Sequence, residues 1–348
     1  MSDLDGYDYD LPSELIAQRP VARRDDARLM VVTRQSGEIE HWHVRDLPKF
    51  LRAGDGLVLN DTRVVPARLQ GYRVTTGGRW SGLFVSADAH GLWQVLGKTR
   101  GKLRSGARIM LQDRAARDAF ALHLVADQGT GIWVAEPEAT GSFVQLLEQV
   151  GRVPLPPYIR GGQMQPDDWT RYQTVFAKTP GAIAAPTAGL HFTTELLAAL
   201  THAGVQLDHV TLHVGIGTFR PIAVAHLDAH QMHAEWCQIS ESTTRSLRAC
   251  RAAGGRIVAV GTTSVRTLET ASANGTLHAW DGETDLFIRP PHAFHAVDAL
   301  LTNFHLPRST LLVLVHAFGG AQLMRRVYET AIAERYRFYS YGDAMLIV

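Results

Sequence analysis

Cysteine is almost absent from this chain: Cys237 and Cys250 are the only two among 348 residues. Without a CxxC pair or finger-like spacing, they exclude a disulfide framework and a structural zinc site, and they fit a reducing compartment. Long apolar runs are also lacking. The most apolar stretch, Leu311 to Val315, is interrupted by His316, far short of the roughly 20 residues that a membrane helix needs. Asp3, Asp5, Asp8 and Asp10 stand where a secretory signal would carry basic and then apolar residues, so a cytoplasmic location with no membrane partner is expected. There is no GxxxxGK[ST], and Gly215-Ile216-Gly217 runs into Arg220-Pro221 instead of a third glycine, which excludes a P-loop and a Rossmann fingerprint. Charge of one sign is missing overall, because 35 Lys and Arg face 34 Asp and Glu. No global field draws polyanions to the molecule.

What is present is the composition of a folded globular protein, long enough for one large domain or two modest ones. Arg28 to Thr33 and Leu57 to Asn60 read as strands. From Val64 the texture changes to six short β-like runs, near Val64–Tyr72, Trp80–Ala87, Leu92–Lys98, Ala107–Gln112, Ala119–Ala126 and Ile132–Glu136. Turn formers such as Gly77-Gly78 and Ser105-Gly106 separate them, as in a small barrel or sandwich. A short helix begins at Ser142 and stops at Gly151. Beyond the Pro-rich connection Val153–Tyr158, strand and helix alternate: strands at Ala182–Ala185, Val205–Val214, Arg256–Val260, Asp285–Ile288, Ala299–Phe304 and Ala344–Val348, helices after Thr193 and Gly261 and over Thr310–Phe318 and Gln322–Tyr336. The expected fold is a discontinuous α/β, barrel-like domain (1–63 and 152–348) with an inserted all-β barrel (64–151).

Between Arg63 and Arg108, nine basic residues face Asp88 alone. A basic module on an otherwise acidic body points to an anionic partner, with a solvated face as the plain alternative. In RIVAVGTTSVRTLE, Arg256 to Glu269, a strand enters a small polar turn and a helix, gathering free N–H groups, three hydroxyls and Arg266 near one point. That suits a phosphate or carboxylate, or ordinary capping. His191 before a helix cap and His213 at a strand end have the placement of cleft-facing acids or bases, or of satisfied structural histidines. His226, His230, His233 and Glu235 have a near-helical spacing that would gather metal ligands, although it is not HExxH.

Eight strings carry a resemblance: LNDTRVVPARL (Leu59 to Leu69), GRVPLPPYI (Gly151 to Ile159), RYQTVFAKTPGAIAAPTAGLHFT (Arg171 to Thr193), TLHVGIGTFRP (Thr211 to Pro221), HQMHAEW (His230 to Trp236), GTTSVRTLE (Gly261 to Glu269), LLTNFHLPRSTLL (Leu300 to Leu312) and YRFYSYGDAMLI (Tyr336 to Ile347). In order and over almost the whole chain, they resemble the S-adenosylmethionine:tRNA ribosyltransferase-isomerase family of queuosine biosynthesis. The chain departs from the family pattern at Ser81, Pro291 and His316, and His226 lies outside the family's histidine string.

The resemblance implies a transferase that moves the ribosyl part of S-adenosylmethionine onto 7-aminomethyl-7-deazaguanine in the tRNA anticodon. The sugar is isomerised to an epoxycyclopentane, and adenine and methionine are released. It implies S-adenosylmethionine as co-substrate, no tightly bound cofactor, no metal, and a monomer. Such chemistry needs a base for the proton beside the sulfonium and an acid for adenine departure. His191, His213, Asp343 and Glu235 are the candidates. Thr262, Thr263, Ser264 and Arg266 suit the methionine carboxylate, and Phe192 and Phe219 suit a ring of the same co-substrate. Asp61, Arg63, Tyr172, Lys98, Arg100, Lys102 and Arg104 are the expected contacts to the tRNA and its base. The rival readings are a metal-dependent hydrolase built on His226, His230, His233 and Glu235, and a non-catalytic RNA-binding protein.

Overall fold

The structure is a computed structural model that describes residues 3–129, 131–215, 217 and 222–348. The chain folds as two compact units, Met1–Thr62 with Gln173–Thr179 and Ala185–Val348, and Arg63–Tyr172 with Pro180–Ala184. In chain order the elements are β1 (Arg28–Thr33), β2 (Glu38–His43), β3 (Gly56–Asn60), β4 (Thr62–Val64), β5 (Arg68–Arg73), β6 (Arg79–Ala87), β7 (Trp93–Thr99), β8 (Arg108–Gln112), β9 (Asp118–Asp127), β10 (Ile132–Pro137), α1 (Phe143–Val150), α2 (Asp168–Arg171) and β11 (Thr179–Ala182). They continue with α3 (Thr194–His202), β12 (Gln206–Leu212), β13 (Glu235–Ile239), α4 (Glu241–Ala252), β14 (Ile257–Val260), α5 (Gly261–Thr270), β15 (Trp280–Thr284), β16 (Ala299–Asn303), α6 (Thr310–Gly319), α7 (Ala321–Ala333) and β17 (Ala344–Ile347).

The larger unit is a mixed nine-stranded sheet in the order β15-β13-β12-β3-β14-β16-β17-β1-β2. Its centre, β12-β3-β14-β16, is parallel. Strands covered on both faces read as continuous apolar runs, and β3, β14, β16 and β17 are buried at every position. On one face, Leu57, Leu59, Val258, Val260, Leu301 and Leu346 pack with Phe192, Leu196 and Leu200 beside α3. Parallel pairing brings the C-terminal ends of the four central strands to one edge, where open α/β sheets hold their ligands.

The smaller unit contains the closed antiparallel barrel β10-β7-β6-β5-β8-β9. All six expected strands are present, and their inward positions, including Phe84, Trp93, Ile109, Phe120, Leu122 and Trp133, are buried. Gly82 is required by close approach: a Cβ there would stand 2.1 Å from the Trp80 ring and 2.9 Å from the Leu96 carbonyl oxygen. Helix α1 starts in a capping box formed by Ser142 and Gln145, which satisfies two orphan N–H groups. The Pro-rich connection after Gly151 packs with the barrel unit, through Tyr172. Near the other end, the strand expected at Asp285–Ile288 lies five residues earlier, as β15. Polar WDGET makes a half-exposed edge strand paired with β13, and such a strand has no apolar run to announce it.

Candidate active site at the strand ends

The carboxyl ends of β3, β12 and β14 are joined by one amide. Asn60, buried at the end of β3, accepts from the backbone N–H groups of Thr62 and Leu212 and donates to the Leu212 carbonyl and to Thr263 Oγ1, each at 3.1 Å. Both donors and both acceptor sites of the side chain are thereby used. Asn60 was not among the expected site residues, although a polar amide closing an apolar strand is a sequence signal.

His213 follows β12 at this edge. Its Nδ1 lies 2.8 Å from Thr62 Oγ1, and its ring stacks on Trp236 at 4.9 Å between centroids. Among the described residues no hydrogen bond engages Nε2. Burial lowers the imidazole pKa, with the nearby Asp61 charge acting weakly in the opposite sense, so the neutral ring is favoured. Asp61 itself accepts from Thr211 Oγ1 at 2.6 Å, while its carbonyl receives the N–H groups of Lys178 and Thr179. A partly enclosed neutral histidine, oriented through one nitrogen with the other open, has the form of a general base.

Helix α5 begins at this edge. Gly261 takes φ +83°, a left-handed conformation that glycine adopts without steric cost, and this turns the chain from β14 directly into the helix. No side chain caps α5. Thr262 and Thr263 are buried there, and the unused N–H groups of a first turn favour an anion. Thr263 has its hydroxyl oxygen on Asn60, while Ser264 donates back to the Val260 carbonyl at 2.8 Å.

Arg266 departs from its expected role. It lies in the second turn of α5, and all three of its nitrogens are engaged by the protein. Nη1 pairs with Glu235 Oε2, Nη2 donates to the Thr284 carbonyl at 3.1 Å and Nε to that of Leu286 at 3.1 Å. Glu235 receives the Gly215 N–H at 2.7 Å on its other oxygen, and both side chains are 5% exposed. The anion that a cation near this helix start requires is therefore Glu235, and the carboxylate is held as a structural partner.

Three further candidates also have structural places. His191 is enclosed by the fold: Nε2 meets Asn303 Nδ2 at 3.1 Å, and a backbone hydrogen bond to Arg24 engages the ring. Burial, with the charges of Arg337 and Arg24, lowers its pKa to about 4. Asn303, at the end of β16, also accepts from Thr187 Oγ1 at 2.9 Å, so this second strand-end amide was likewise missed. The Asp343 carboxylate accepts the N–H groups of Arg28 at 3.0 Å and Arg337 at 2.8 Å; burial raises its pKa despite them. Phe192 is fully buried in the core and presents no face to a ring. Phe219 lies outside the described residues.

In the smaller unit, Tyr172 is 1% exposed and offers no stacking surface. Arg63 is 3.9 Å from Glu148. Lys98, Arg100, Lys102 and Arg104 are exposed along β7 and the turn after it, and among the described residues they form no ion pair. The residues proposed as metal ligands do not converge: among the described residues, no group of three or more His, Cys, Asp or Glu is placed to hold a metal. His226 instead lies 3.5 Å from Asp3, and Glu235 is committed to Arg266.

The chain is 51% identical to the S-adenosylmethionine:tRNA ribosyltransferase-isomerase of Symbiobacterium thermophilum over 99% of both chains. The proteins of the same name from an Anaeromyxobacter species and from Moorella thermoacetica are 48% and 46% identical over 99% of this chain, covering 98% and 99% of their own lengths. The crystal structure of S-adenosylmethionine tRNA ribosyltransferase from Thermotoga maritima aligns with a TM-score of 0.56 at 36% identity, covering 99% of this chain and 100% of that one. The sequence profile of the family described as queuosine biosynthesis protein matches residues 4–347. The chain belongs to that family.

Proposed function

We propose that this chain is an S-adenosylmethionine:tRNA ribosyltransferase-isomerase, acting on tRNA that carries 7-aminomethyl-7-deazaguanine at the wobble position. The ribosyl group moves to the aminomethyl nitrogen and is isomerised, giving epoxyqueuosine-tRNA and releasing adenine and methionine. The observation that carries the reading is the strand-end cluster, where an open histidine nitrogen and an uncapped buried helix start are tied together through Asn60.

In this reading His213 removes the proton beside the sulfonium. This role takes the tautomer in which Nδ1–H donates to Thr62 Oγ1, 2.8 Å away, so that the lone pair of Nε2 receives the proton. The methionine carboxylate meets the free N–H groups of Gly261–Thr263, where the helix dipole favours negative charge. Asn60 keeps the end of β12 and the start of α5 in register, and such positioning lowers the barrier without touching the substrate. Lys98, Arg100, Lys102 and Arg104 meet tRNA phosphates. A cytoplasmic location, a monomer and metal-free turnover belong to the same reading; among the described residues no helix is long and apolar enough to cross a membrane.

The test is incubation with S-adenosylmethionine and tRNA bearing the aminomethyl base, with mass spectrometry of small molecules and of the digested tRNA. Free adenine together with a heavier wobble nucleoside is the expected result, before and after exhaustive chelation. Adenine without a heavier nucleoside would refute the transfer, and activity restored by one metal would refute the metal-free reading.

A further inference from the structure

A second concave site lies in the larger unit. A cavity of about 470 Å³ is lined by the N-terminal segment Gly6–Asp10 and by Leu312 and His316 of α6, with Arg325, Tyr328, Glu329, Ile332 and Ala333 of α7. That volume falls in the range of small-molecule sites. It shares no residue with the strand-end cluster.

Its walls are aromatic. The Tyr7 ring lies 5.1 Å from that of His316, and the Tyr9 ring lies 5.1 Å from that of Tyr328. Tyr9 O–H donates to the His305 carbonyl, and the Tyr328 hydroxyl oxygen accepts the His305 N–H. Tyr7 and Tyr9, both half-buried, supply the accessible ring surface.

His316 is the unsatisfied group. It is 5% exposed, and its Nδ1 is buried with no hydrogen-bond partner. A proton on Nδ1 would be a buried donor without an acceptor, which favours the tautomer that carries it on Nε2. Among the described residues Nε2 has no partner either, and the ring lines the cavity, which leaves Nε2–H as a donor for whatever enters. Burial, reinforced by the Arg325 charge, keeps this ring neutral.

The rim sets the charge. Asp8 is held by Arg308 at 2.6 Å, whereas Asp10 and Glu329 form no ion pair among the described residues. With Asp8 neutralised by Arg308, Asp10 and Glu329 against Arg325 disfavour an anion. They also provide acceptors for exocyclic N–H or sugar O–H groups.

We propose that this cavity binds a purine nucleoside, with the base against Tyr7 and Tyr9 and a ring nitrogen accepting from His316 Nε2–H. A flat ring suits the aromatic walls. Charge disfavours a nucleotide. The site is separate from the catalytic proposal and holds whether or not that proposal does.

The test is a calorimetric titration of the full chain with adenosine, repeated with saturating S-adenosylmethionine and again with adenosine monophosphate. Adenosine binding is expected to persist in the presence of S-adenosylmethionine, and the monophosphate to bind at least tenfold more weakly. His316→Leu removes the donor and should weaken adenosine about five- to tenfold, the range of one neutral hydrogen bond. Ala333→Trp, at an exposed wall of α7, should abolish binding by filling the cavity, with thermal unfolding confirming that each variant is folded. No binding at millimolar adenosine overturns the proposal. So does binding unchanged in Ala333→Trp, binding displaced completely by S-adenosylmethionine, or equal affinity for the monophosphate. Should S-adenosylmethionine itself fail to bind, the catalytic proposal fails, and the adenosine titrations without it still decide this one.

Discussion

Arg266 and Glu235 form an ion pair with both partners enclosed, so truncating one leaves the other buried and uncompensated. Loss of one member of such a pair costs about 3–5 kcal/mol, a large share of the roughly 5–15 kcal/mol that holds a typical protein folded. Arg266→Ala is expected to lower the urea midpoint sharply, and Glu235→Gln with Arg266→Met together to lower it less than Arg266→Ala alone. If the single variant is as stable as wild type, the pair carries no structural weight and Arg266 is free for a substrate. His213 makes the opposite case. It is oriented by Thr62 and open at Nε2, so His213→Gln is expected to leave the midpoint nearly unchanged while reducing the rate of adenine release about 10²- to 10⁴-fold, the usual contribution of a positioned base. Because burial lowers its pKa, the acid limb of the wild-type rate profile should fall below the ordinary histidine value near 6.5. A limb above that value would assign the base to another group.

At the scale of elements, β7 and the turn after it carry exposed charge that forms no ion pair among the described residues, which distinguishes it from the neighbouring basic residues. Arg108 is held by Glu138, and Arg68 donates to the Gly162 carbonyl. Each single-strand phosphate contact contributes about 0.7 to the slope of log affinity against log salt, and about 0.9 on duplex. Neutralising Lys98, Arg100, Lys102 and Arg104 together is expected to flatten that slope for tRNA by about two to four units and to leave S-adenosylmethionine affinity intact. An unchanged slope would leave the run a solvated face. The barrel strands were legible because alternating burial imposes a period of two and glycine-rich turns separate the runs. The strand-end position of His213 was legible because β12 ends just before it, two residues ahead of Gly215. The partner of Arg266 was not, because Glu235 reaches it from β13, and a register between distant strands leaves no local pattern. Phe192 and Tyr172 were misplaced for a related reason: both sit in motif loops, yet their rings turn inward, which depends on packing and not on loop chemistry.

For the whole molecule, buried histidines set the response to acid. His191 and His316 have pKa values lowered to about 4, and His305 to about 3, in each case chiefly by burial. The unfolded chain, with ordinary histidines near 6.5, binds more protons than the folded one below that pH, so stability rises with pH and is lost as pH falls from about 6.5 toward 4. Each such proton contributes about 1.4 kcal/mol per pH unit, so three together approach 4 kcal/mol per unit near pH 5. Asp343 acts in the other direction, because its raised pKa lets the folded state hold a proton that the unfolded chain releases, but it opposes three groups of like sign. The expected outcome is a markedly lower melting temperature at pH 5 than at pH 7. His316→Ser, which exchanges one buried imidazole for a group that does not titrate, should shrink the difference by about a third. Equal melting temperatures at the two pH values would mean that these histidines are protonated, or reached by water, in the folded state. The neutral Nε2–H donor assigned to His316 would fall with that result.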